Sequence, residues 1–221
     1  MLILKCNNMK SRKLKNLIAL LCGYAILLVL FRVKYTQNMF YLFLVWNLFL
    51  AIIPFGISTF LLEYPNKILS YLLFPVWLIF LPNAPYIITD LFHLKQGTSM
   101  PMWFDLLLIL SFAISGMLLF FVSLNDMFIL IKNQFSTNFA HFISVFALFL
   151  SGFGIYLGRY LRWNSWDLIH KPKVLINDIT IRILHPMQYP KTWGITLGFG
   201  FLFWIGFLIF REFLEKREVK L

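Results

Sequence analysis

Six stretches of this chain run apolar for long enough, or nearly so, to cross a lipid bilayer: residues near 17–33, 40–62, 68–88, 103–124, 138–158 and 193–210. A hydrocarbon core of roughly 30 Å takes about 20 apolar residues of helix. With no water at that depth, every backbone N–H and C=O must be satisfied internally, and a single segment achieves this only as a helix. The expected fold is therefore an all-α integral membrane protein, a bundle of about six transmembrane helices forming one polytopic domain over residues 1–221. The first run is slightly short, and Arg32 and Lys34 at its far end are expected to snorkel to the interface.

Charge content points the same way. Charged residues are 13% of the chain, against about a quarter in soluble domains. A net charge of +11 would suit nucleic acid, but the lysines and arginines fall in short clusters between apolar runs. The expected partners are therefore the lipid bilayer and its anionic headgroups, not nucleic acid. Cys6 and Cys22 make no framework or metal motif. Lys10, Arg12, Lys13 and Lys15 precede the first apolar run as in an export signal, yet no A-x-A-like site follows and Leu21, not a small residue, precedes Cys22. An uncleaved first helix is expected.

Six spans place both tails on one side, and both tails are basic, which the positive-inside rule makes cytoplasmic in a bacterial cell membrane. Lys and Arg then number 11 inside and 9 outside, Lys95 among the latter. The margin is narrow because the long connection 159–192 carries Arg159, Arg162, Lys171, Lys173, Arg182 and Lys191.

The two long connections, 83–102 and 159–192, hold the polar motifs on the face opposite the tails. In the first, Pro82 and Pro85 flank Asn83-Ala84. Proline removes a donor and disfavours helix in the residue before it, so the third helix should break here. The break is open to two readings: a terminated helix with Asn83 capping the next, or a break lining a ligand cavity. If helix resumes near Tyr86, then Tyr86, Asp90 and His93 share a face. Asp90 and His93 alone are too few for a metal site, and His141 and His185 add no matching motif. No metal and no cofactor is expected: P-loop, HExxH, Gly-x-Ser-x-Gly and dinucleotide fingerprints are all absent from the sequence.

In the second motif Arg159 and Arg162, three apart at the end of the fifth span, would lie side by side on one helix face. Either they snorkel and pair with Asp90, Asp105 or Asp167, or they grip a phosphate or carboxylate through the two-pronged guanidinium. The stretch from Asn164 to Asp167 can cap a new helix. Residues 178–183 alternate polar and apolar like a strand, but a lone strand has no partner here, so a short helix lying at the membrane surface or packed on the bundle is expected. Gly154-x-x-x-Gly158 and Gly194-x-x-x-Gly198 allow close helix contact. Asn47 is expected to bond a neighbouring helix, while Asp126 and Glu63, near the tail side, are expected to be hydrated.

The strings Trp46-Asn47-Leu48-Phe49-Leu50-Ala51, Pro82-Asn83-Ala84-Pro85-Tyr86, Ser123-Leu124 and Arg162-Trp163-Asn164-Ser165-Trp166-Asp167 resemble the bacterial multi-pass membrane family catalogued as domain of unknown function 1361, over roughly residues 40–210. The resemblance implies a polytopic membrane protein and carries no catalytic roles. The expected working surface is the outer face, built from Asn83, Tyr86, Asp90, Arg159, Arg162, Asn164 and Asp167. A binder of an anionic lipid or envelope ligand, a small-solute transporter and a membrane-embedded enzyme on a lipid-linked substrate all remain open.

Overall fold

The computed structural model describes residues 2–94 and 100–219, with side chains from 13 to 214 apart from residue 169. Lys95 and the charged C-terminal end lie outside the described side chains. Among the described residues there is no strand, and six helical stretches are long and apolar enough to cross a membrane. The chain forms a multi-helix apolar bundle.

The helices are α1 (Leu2–Thr36), α2 (Phe43–Glu63), α3 (Lys67–Phe80), α4 (Asn83–Tyr86), α5 (Met102–Gln134), α6 (Thr137–Tyr160), α7 (Asp167–His170), α8 (Pro172–Leu184) and α9 (Pro190–Val219), with a 3-10 segment at Ile87–His93. Short polar caps start several of them. Asn66 accepts from Leu69 N–H at 3.2 Å ahead of α3, and Ser136 from Phe139 N–H at 3.2 Å ahead of α6. Pro172 opens α8 at a position where its missing N–H costs nothing. The alternating stretch 178–183 is thus helical: an unpaired strand would leave its backbone groups bare, whereas a helix satisfies them internally.

Helix α5 is the axis. It packs against α1, α2, α4, the 3-10 segment and α6, while α9 lies along α6 and α3 along α2. Its small residues decide how near the neighbours come. A Cβ on Gly116 would sit 2.4 Å from the Ala84 carbonyl oxygen. Gly116→Ala must therefore push α4 off α5, whereas Gly56→Ala meets nothing within 4 Å. In detergent, Gly116→Ala is expected to lower the unfolding temperature measurably and Gly56→Ala not to lower it. Equal behaviour of the two would show that the close approach carries no packing energy.

Three expectations are corrected, two about charged side chains and one about glycines. Arg32 does not snorkel: it is 0% exposed, its Nε donates to Asp105 Oδ1 at 2.6 Å and its Nη2 to Asp105 Oδ2 at 3.1 Å. The Tyr41 ring covers it at 4.1 Å. A two-pronged bond to a carboxylate on α5 outweighs the reach to the interface because it neutralises the guanidinium in place. Asp126 is buried rather than hydrated, held by Thr59 Oγ1 at 3.2 Å and facing Lys15 Nζ at 3.8 Å. Gly194 and Gly198 meet nothing within 4 Å; the close approach of α6 and α9 falls at Gly152, whose Cβ would lie 2.6 Å from the Thr196 carbonyl. A small-residue stripe serves packing only where it faces the neighbour, and residues 194 and 198 face away.

Candidate functional site

Helix α3 ends at Phe80, and Pro82 and Pro85 then restrict the backbone to a single turn of α4 before it tightens to 3-10. The break is pressed against α6. A Cβ on Gly154 would lie 2.6 Å from Pro82 Cβ, and one on Gly158 would lie 3.0 Å from the Tyr86 ring. The Gly154-x-x-x-Gly158 pair therefore admits the proline break rather than a straight helix. Asn83 fastens the two motifs together: its Nδ2 donates to the Phe80 carbonyl at 2.9 Å and to Ser165 Oγ at 3.0 Å.

Below that junction sits a charged cluster. Asp90, 1% exposed, accepts from Arg159 Nη2 at 2.5 Å through Oδ1 and from Asn47 Nδ2 at 2.8 Å through Oδ2. Arg159 also donates through Nε and Nη2 to Thr89 Oγ1, at 3.0 and 2.7 Å, and meets His93 Nε2 through Nη1 at 2.9 Å. A guanidinium only donates, so His93 Nε2 is the acceptor in this contact. The Tyr86 ring lies 4.7 Å from the guanidinium carbon. The turn from α4 into the 3-10 segment brings Tyr86, Thr89, Asp90 and His93 to one side, facing α6. An ion pair this enclosed survives only because further hydrogen bonds satisfy both partners.

The remaining motif residues lie elsewhere. Helix α6 stops at Tyr160, and Arg162 has a left-handed backbone (φ 61°) that turns the chain sharply. Arg162 is exposed and does not line the cavity described next. Asp167 Oδ2 accepts from Asn164 N–H at 2.8 Å and from Asn164 Nδ2 at 3.4 Å, while Asp167 N–H donates back to the Asn164 carbonyl at 3.0 Å. This reciprocal closure starts α7 as a capping box does. The onward chain is anchored as well. Trp163 Nε1 donates to Asp178 Oδ2 at 2.9 Å, Trp193 Nε1 to the Arg182 carbonyl at 3.2 Å, and Arg182 Nη1 to the Asp178 carbonyl at 2.7 Å. Burial opposes the Arg182 charge, but the Tyr156 hydroxyl and Asp178 beside it hold its pKa above the ordinary arginine value.

These elements enclose a cavity of about 700 Å³. Its floor and walls are apolar, from Leu50 on α2, Leu78 and Ile79 on α3, and Phe146, Phe149 and Leu150 on α6. One face of α8, Leu175, Ile179 and Ile183, closes it over the motif side. At that end Asn47, Asn83, Tyr86, Asp90, His93, Arg159, Asn164 and Ser165 supply the polar lining, with Trp46, Trp163 and Trp193 among them. Phe146 precedes Arg159 by 13 residues on α6, so the cavity follows about 20 Å of that helix. Among the described residues no group of three His, Cys, Asp or Glu side chains is placed to hold a metal ion.

The sequence does not place Thr89 at the site; it sets His93 on one face with Tyr86 and Asp90 but not against Arg159, and it gives Asn47 a neighbouring helix without naming Asp90. Asn47 and Asp90 are 43 residues apart. A lone polar residue in an apolar run was the available signal, since such a residue needs a partner at the same depth.

A family model described as protein of unknown function DUF1361 matches residues 46–205. That stretch runs from the first tryptophan of the cavity through both motifs to the middle of α9. No curated protein and no solved structure matches the chain.

Proposed function

Because the chain belongs to DUF1361, a family of proteins of unknown function, we propose that its role is to be read from this cavity: it binds an amphipathic, anionic membrane lipid, hydrocarbon chain inward and headgroup at the motif end. The observation that carries the reading is the segregation of the lining. Polar side chains gather at one end and apolar ones fill the rest, along a path that follows α6 into the membrane. Ile79 and Phe146 line the cavity yet are 39% and 49% exposed, so the wall between α3 and α6 is open toward lipid. A ligand with one wet end and one oily end matches such a lining. A small polar solute would find no partners along the apolar part.

The anionic preference rests on the connection 159–192, which carries six basic residues against two acidic ones, Asp167 and Asp178. Arg162, Lys171, Lys173 and Lys191 are exposed there and would draw an anionic lipid toward the cavity mouth.

Filling the oily part tests the reading. Leu150→Trp should abolish retention of co-purified lipid, scored by mass spectrometry of the detergent-extracted protein. Leu202→Trp, on the exposed side of α9, should retain it. Equal retention in both would remove the cavity as the binding place.

The motif face is assigned to the outside of the cytoplasmic membrane, with both tails in the cytoplasm, on the strength of the basic tails and the even number of spans. Reporters fused at the C-terminus and inserted at Met187, which is 92% exposed, should read opposite sides, the C-terminal one cytoplasmic. A cytoplasmic signal from position 187 would invert the assignment.

A further inference from the structure

The headgroup chemistry can be narrowed by asking which hydrogen-bonding atoms the cavity has left over. We infer that the site reads a hydroxyl-bearing headgroup, a glycerol or sugar, whose hydroxyls meet the polar end of the cavity while the acyl chains run into its apolar part; this rests on the lipid-binding role proposed above.

Three asparagines line the polar end, and each has its amide nitrogen held by a group that can only accept. Asn47 Nδ2 donates to the Asp90 carboxylate, Asn83 Nδ2 to the Phe80 carbonyl and to Ser165 Oγ, and Asn164 Nδ2 to the Asp167 carboxylate. Acceptor-only partners fix the orientation of each amide, since a carbonyl oxygen turned toward them would find no proton. What the amides retain is three oxygens, one spare hydrogen on Asn47 and one on Asn164. Ser165, having accepted from Asn83, keeps its hydroxyl proton to donate.

Such a set suits a ligand that both donates and accepts. A hydroxyl does both, whereas a phosphate at neutral pH offers mainly acceptor oxygens and would meet three amide oxygens of like polarity. Arg159 does not reverse this, because Asp90 already balances its charge inside the site. The cationic groups without such a neutraliser are on the rim, at Arg162, Lys171 and Lys173. The tryptophans fit the same chemistry. Trp163 and Trp193 direct their indole N–H groups to Asp178 and the Arg182 carbonyl, so what they offer the cavity is ring surface. An aromatic face is electronegative and receives the C–H side of a sugar or glycerol.

The test uses the full-length protein in lipid nanodiscs, titrated with four lipids of identical acyl chains while intrinsic tryptophan fluorescence is read. Phosphatidylglycerol and a monoglucosyl diacylglycerol, which share hydroxyls but not charge, are expected to bind about ten-fold or more tightly than phosphatidic acid, which has charge without headgroup hydroxyls. Phosphatidylethanolamine, a donor-bearing amine, is expected to bind as weakly as phosphatidic acid. Asn83→Ala combined with Asn164→Ala should collapse the ratio of phosphatidylglycerol to phosphatidic acid toward unity. Asn164→Ala alone, on an exposed residue, should lower that ratio in a protein that folds normally. Phosphatidic acid equal to phosphatidylglycerol, or the amine lipid preferred over both, overturns the hydroxyl assignment and leaves the lipid-binding role standing. Saturable binding of none of the four overturns both.

Discussion

Asp105→Ala should destabilise the protein by about 3–5 kcal/mol, because it removes the carboxylate that two nitrogens of the buried Arg32 guanidinium grip in a site with no access to water. Arg32 is fully buried and both its carboxylate bonds go to this one residue. Removing both members should cost far less. Arg32→Met with Asp105→Leu replaces two desolvated charges by apolar volume, an exchange that is often neutral. Thermal unfolding in detergent of wild type, Arg32→Met, Asp105→Leu and the double variant forms a complete cycle, with Asp105→Ala measured beside it. A single variant as stable as wild type, or a double variant as unstable as Asp105→Ala, would show that the pair is not the buttress between α1 and α5 that its geometry describes.

Arg159→Lys should lower stability by about 2–3 kcal/mol and remove lipid retention, although the charge is kept. Three nitrogens of Arg159 serve Thr89, Asp90 and His93 at once. A lysine has one nitrogen on a flexible stem and cannot meet all three, so Thr89 or His93 loses its partner in a mostly buried place. Arg162→Lys should leave stability within about 0.5 kcal/mol, since that side chain is exposed and makes no ion pair among the described residues. Asp90→Asn completes the comparison by removing the neutralising charge while keeping the size. Wild-type stability and lipid retention in Arg159→Lys would show that charge alone suffices there, and the cluster would reduce to an anchor.

The contrast between these two arginines shows where reading the sequence ends. Residues three apart share a helix face only while the helix lasts. The chain leaves the helix after Tyr160, and the left-handed backbone at Arg162 swings its side chain away from Arg159. The six spans were legible because bilayer thickness imposes a minimum apolar length that chance rarely satisfies. The break in the third was legible because Pro82 and Pro85, three residues apart, each remove a backbone donor, whereas the single prolines Pro54 and Pro75 are carried inside α2 and α3. Partner choice was not. That Arg32 turns inward to Asp105, and that Asp90 divides its oxygens between Asn47 and Arg159, depends on which helices become neighbours. No local pattern encodes that adjacency. Even the glycines were legible only as small residues: Gly154 faces the proline break and Gly194 faces nothing, and the spacing of the two pairs is identical.

The reach of the two buried ion pairs along the chain sets an order on biogenesis. Arg32 awaits a carboxylate made 73 residues later, and Asp90 awaits a guanidinium made 69 residues later. Synthesis runs from the N-terminus, so the first and third spans enter the bilayer each carrying one half of an unfinished pair. Asn47 is already present when Asp90 emerges and can hold it in the interim, whereas the carboxylate that Arg32 grips arrives only with α5. The nascent protein therefore cannot settle α1 at its final depth until the start of α5 arrives beside it. Truncation just before residue 102 should leave the first span shifted toward the interface that Arg32 seeks, and extension past Asp105 should draw it in.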